Sequence, residues 1–61
     1  MYEKFVLLLY KSNKTTYRVA KETKLSPTLF SDWKNGRSKP KVDKLKILAD
    51  YFGVPIEYFL E

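Results

Sequence analysis

Apolar residues along this 61-residue chain recur at the three-to-four-residue spacing of helices, and nothing in it reads as a strand, repeat or low-complexity segment. Tyr2 to Ser12 forms the first predicted helix, with Phe5, Leu8, Leu9 and Ser12 close to one line. Asn13 tolerates the left-handed conformation that ends a helix. Val6, Leu7 and Tyr10 project away from that line, and a domain this small cannot easily bury the whole FVLLLY run. Either part of it is an exposed partner surface, or it is a broad apolar stripe with the Tyr10 ring lying on the surface. Thr15 or Thr16 caps a second helix running to about Thr23, with Val19 and Ala20 facing inward. Lys24 and Leu25 make the bend, Ser26 caps the third helix, and Pro27 takes the first helical position, where its missing N–H costs nothing. Asn35 and Gly36 stop that helix, and a basic loop stiffened by Pro40 follows. The fourth helix runs from about Val42 to Phe52, with Val42, Leu45, Leu48, Ala49 and Phe52 inside, and ends at Gly53. Pro55 starts a short fifth helix whose Ile56, Phe59 and Tyr58 close the core. The prediction is an all-α domain of five short helices over residues 1–61.

The third helix, residues 26–35, has two sharply different faces. At about 100° per residue, Leu29, Phe30 and Trp33 share one apolar sector. Pro27, Thr28, Ser31 and Asn35 occupy the opposite sector, with Asp32 beside them. A helix held down by aromatics while presenting small hydrogen-bonding groups outward is suited to being read against another molecule. Trp33 itself belongs to the core, its indole N–H seeking a partner at the edge.

Composition narrows the chemistry. With no Cys and no His, the chain has no disulfide, and the usual zinc, haem and thiol chemistries and nucleophile–His catalysis are out of reach. No carboxylate pair in a pocket-forming context, phosphate loop or nucleophile elbow is present, so no enzyme is expected and no cofactor is implied. Without a stretch of about 20 apolar residues or a signal-peptide pattern, the expectation is a cytoplasmic protein. The net charge of +5 is unevenly placed. Lys34 to Lys46 holds six basic residues against one acid, Asp43, whereas Ile47 to Glu61 holds three acids and no base. A positive field therefore adjoins the two-faced helix.

At this point the residues resemble a known family. Thr16, Val19-Ala20, Lys24-Leu25-Ser26, Phe30-Ser31, Trp33 and Asn35-Gly36, followed by Lys39-Pro40, are similar to the helix-turn-helix of lambda-repressor-like, or Xre/Cro-type, regulators, here at about residues 16–35. The resemblance continues through Leu45, Ile47-Leu48-Ala49, Gly53-Val54 and Glu57-Tyr58, so it spans essentially the whole chain. It departs from the family at three places. Lys24 stands where the turn usually carries Gly, Lys14 where an apolar residue precedes the second helix, and Val6, Leu7 and Tyr10 where the first helix is commonly charged.

The resemblance implies sequence-specific binding of double-stranded DNA by a bacterial or phage transcriptional regulator, usually a repressor acting as a dimer on a palindromic operator. By position, the base readers are Pro27, Thr28, Ser31 and Asp32. The hydroxyls of Thr28 and Ser31 serve either base type, Pro27 contributes only shape, and Asp32 can accept from cytosine or remain a solvated carboxylate near Lys34 and Arg37. Phosphate contacts fall to Thr16, Tyr17, Asn35, Arg37, Lys39 and Lys41, with Lys44 adjacent. By analogy with the family, dimer contacts fall on Val54, Ile56 and Tyr58, and the exposed part of the first helix (Val6, Leu7, Tyr10) is the rival surface. The length suits either a compact Cro-like protein or the DNA-binding half of a longer repressor. An interaction module, such as an antitoxin or antirepressor-binding regulator using the first helix, is the alternative in a different class.

Overall fold

A computed structural model describes residues 1–60, in five helices. These are α1 (Tyr2–Ser12), α2 (Thr16–Thr23), α3 (Pro27–Lys34), α4 (Val42–Phe52) and α5 (Glu57–Leu60). No strand occurs among the described residues. Their boundaries follow local chemistry. Asn13 turns left-handed at φ 56°, and the Lys14 N–H closes α1 by donating to the Leu9 carbonyl at 3.0 Å. The Thr15 hydroxyl caps α2 by accepting from the Arg18 N–H at 3.2 Å. Ser26 does the same for α3, accepting from the Thr28 N–H at 3.1 Å with Pro27 directly behind it. Gly36 and Gly53 take positive φ after α3 and α4.

The bend between α2 and α3 falls on Lys24, which adopts φ 62°. A side chain at such a backbone angle costs about 1 kcal/mol, and the turn is braced by the Thr23 hydroxyl, which accepts from the Leu25 N–H at 3.4 Å. Lys24→Gly is therefore expected to raise stability by up to about 1 kcal/mol, seen as a thermal midpoint several degrees higher. An unchanged or lower midpoint would show that the turn carries no such strain.

The core is built around rings. Phe5 from α1 stacks on Phe30 of α3 at 5.2 Å between centroids, tilts against Trp33 at 5.3 Å and meets Phe52 of α4 edge-on at 6.2 Å. Trp33 in turn touches Tyr2 at 5.4 Å and Phe59 of α5 at 6.3 Å. Val19, Ala20, Leu25, Leu45, Leu48 and Ala49 complete the interior. α2 packs on α3 and α4, and α5 on α1 and α4. One result is that α3 is held from beneath by aromatic contact with α1 and α5, with Phe52 of α4 backing Phe5.

Two sequence expectations need correction. Val42 was expected inside, yet it is 62% exposed. It falls at the margin of the sector defined by Leu45, Leu48, Ala49 and Phe52, and in the first turn that margin is left to solvent. The last helix begins at Glu57 rather than Pro55. Pro55 and Ile56 sit ahead of it, their carbonyls accepting from Tyr58 and Phe59, each at 3.0 Å.

Lys14, a departure from the family pattern, has a physical place. Its ammonium lies 5.0 Å from the centre of the Tyr51 ring and 3.7 Å from Glu22. Glu22 also accepts from the Tyr51 hydroxyl and from Arg18 Nε, the latter at 3.1 Å. These partners, Tyr51 first and then Arg18, hold the Glu22 carboxyl below the usual carboxylate range. The cluster ties α2 to α4.

Candidate nucleic-acid interface

The outer face of α3 carries Pro27, Thr28 and Ser31, all exposed, while Phe30 and Trp33 on its other side are buried. Leu29 is half-buried on the flank. The small side chains therefore stand on a rigid floor. Asp32 is placed differently from its neighbours. Its carboxylate lies 3.6 Å from Arg37 and its side chain is only 30% exposed. Its backbone carbonyl also accepts from the Arg37 N–H at 2.8 Å and the Ser38 N–H at 3.4 Å. Asp32 thus fastens the start of the basic loop to the end of α3.

Polar and basic grooves border this helix. On one side, Tyr2, Thr16, Pro27, Phe30, Ser31 and Lys34 line a shallow groove between α3 and the beginnings of α1 and α2. On another, Leu29 meets Ser38, Lys39, Pro40, Lys41, Asp43 and Lys44. Pro40 is buried and anchors the loop there, leaving Arg37, Lys39 and Lys41 exposed around it. A third groove gathers Tyr17, Lys21, Lys24, Ser26 and Pro27 at the α2–α3 bend, where Tyr17 is 75% exposed. Thr16 is half-buried, and Asn35 is exposed just past α3. The sequence-predicted contact residues thus gather on and around α3.

The predicted partner surfaces fare unequally. Val54, Ile56 and Tyr58 are half-buried against the core, and the Tyr58 hydroxyl donates to the Lys4 carbonyl at 3.3 Å. Val6, Leu7 and Tyr10 are left open, at 43%, 51% and 86% exposure. Sequence reasoning passed over Tyr2 and Lys34 as groove residues, and also the Lys14–Arg18–Glu22–Tyr51 cluster. The Arg18 and Glu22 pair was visible at its four-residue spacing, whereas the approach of Tyr2 to α3 depends on tertiary packing alone.

Two helices joined by a tight bend, the second supported from behind and polar in front, define the helix-turn-helix class. A family model described as helix-turn-helix matches residues 8–59. The chain belongs to that family, the Xre or lambda-repressor-like type of DNA-binding regulator. Neither the curated proteins nor the solved structures give a match to it. No helix among the described residues is long and apolar enough to cross a membrane.

Proposed function

We propose that the chain is a transcriptional repressor that binds a pseudo-palindromic operator as a dimer, with α3 in the major groove. The observation that supports this best is the exposed polar face of α3 bordered by basic grooves. A helix with its side chains is about 10–12 Å across, which suits a major groove about 12 Å wide. Base readers are drawn from Pro27, Thr28, Ser31 and Asp32. Thr28 is central, offering a hydroxyl to either base type and a methyl to thymine. Asp32 can accept from a cytosine amino group, sharing its carboxylate with Arg37. Thr16, Tyr17, Asn35, Arg37, Lys39 and Lys41 hold the backbone. One domain this small buries little, so two copies spaced about one helical turn apart supply operator-level specificity.

Selection of sites from random duplex DNA at two salt concentrations tests this reading. The expected result is an enriched palindrome and a steep fall of affinity with salt. Thr28→Ala is expected to change the preferred base at one position in each half-site, costing about 1–3 kcal/mol of discrimination there. A uniform loss across operator variants would remove Thr28 from the readers.

A second reading rests on the open apolar face of α1. There Val6, Leu7 and Tyr10 would seat a protein partner, as in an antitoxin or antirepressor-binding regulator. No enrichment of any duplex, even at low salt, would favour it.

A further inference from the structure

The groove between α3 and the beginnings of α1 and α2 has a composition that the base-reading face lacks. Three hydroxyl-bearing residues, Tyr2, Thr16 and Ser31, line it together with Lys34, and no acidic residue does. Among the described residues, none of these four side chains makes a hydrogen bond or ion pair within the protein. The two carboxylates nearest by are already engaged. Asp32 is bridged to Arg37, and Glu22 takes Lys14, Arg18 and Tyr51. Nor is Tyr2 loosely held. Its ring lies 5.9 Å from Phe5 and 5.4 Å from Trp33, which fixes the side chain at the groove wall. Unspent donors on a fixed wall with one cation and no acid suit an anion.

We infer that this groove takes one phosphodiester of the DNA backbone, and that Tyr2 is a positioning contact that sets the depth and register of α3 in the major groove. The inference rests on the DNA-binding reading and deepens it. Hydroxyl side chains and helix beginnings supply many protein–phosphate bonds, and such bonds fix register without reading sequence. Here the start of α1 joins the start of α2 in that role, coupled to the recognition helix through the Tyr2–Trp33 contact. Ser31 moves with it, from the base-reading set to the backbone set, because it lines the groove with Thr16 and Lys34. Thr28 remains as the reader at the centre of the exposed face.

Tyr2→Phe removes one oxygen and keeps the ring on Phe5 and Trp33, so the fold is retained and its thermal midpoint should match the wild type. Binding of the selected operator and of an unrelated duplex should weaken alike, by about tenfold, with the salt dependence unchanged because the lost group is neutral. Lys34→Gln should flatten the slope of log affinity against log salt by about 0.9, and Ser31→Ala should weaken all duplexes without changing base preference. The decisive arm is a set of operators in which single phosphates are replaced by neutral methylphosphonates. At one phosphate per half-site, wild type and Tyr2→Phe should bind equally. Tyr2→Phe binding like wild type, a changed base preference in Ser31→Ala, or no methylphosphonate position that equalises the two proteins would overturn the groove assignment while leaving the DNA-binding reading intact. Failure of the wild type to bind any duplex would overturn both.

Discussion

Phe5→Ala is expected to leave the domain largely unfolded at 37 °C. Phe5 is fully buried and is the one ring that touches side chains of both α3 and α4 from α1. Removing a buried Phe typically costs about 3–5 kcal/mol, and a single core in a domain of this size rarely supplies more than about 3–5 kcal/mol in total. The loss is therefore comparable to the whole stability. Circular dichroism against temperature checks it directly: a cooperative transition within a few degrees of the wild-type midpoint would show that the aromatic cluster repacks around the hole. Phe5→Leu, which keeps most of the volume, should retain a cooperative fold with a lower midpoint. DNA binding should follow folding in both variants, since α3 depends on the same rings for its floor.

Replacing Arg37 and Lys39 together with Ala should weaken binding to every duplex without altering which one is preferred. Both side chains are exposed on the loop pinned by Pro40 beside α3, where they can neutralise phosphates but are not on the helix proposed to read bases. Two lost phosphate contacts lower the slope of log affinity against log salt by about 1.8. The advantage of the wild type should accordingly shrink about tenfold between about 50 and 200 mM salt. Equilibrium binding at several salt concentrations measures this. An unchanged slope would place the phosphate clamp elsewhere. A shifted base preference would instead point to Asp32, whose bridge to Arg37 the double variant removes.

Much of this fold was legible because its punctuation is local. Asn13, Thr15, Ser26-Pro27 and Gly53 each act within one turn of the chain, and each ends or begins a helix as its chemistry requires. Phe30 and Trp33 were legible as core for a similar reason, since helical spacing alone puts them on one face. The departures have a common cause. Val42 lies at a sector margin, where whether a residue is covered depends on a neighbour rather than on its own helix. Lys14 read only as a break in an apolar pattern until Tyr51, far along the chain, supplied the ring beneath its ammonium. Tyr2 met Trp33 in the same way. Asp32 looked like an outward carboxylate because the geometry of the following loop, and hence Arg37, could not be read from helical spacing.

Trp33 is the only tryptophan in the chain, and it is buried. An indole shielded from water emits at shorter wavelength than a hydrated one, so fluorescence excited beyond the tyrosine absorption reports the seating of α3 on the rings of α1 and α5. Tyr2 contacts that ring and also lines the groove in front of α3. The domain therefore carries its own optical reporter, and titration with unlabelled duplex can follow in one signal how firmly α3 stays on its aromatic floor as DNA is engaged.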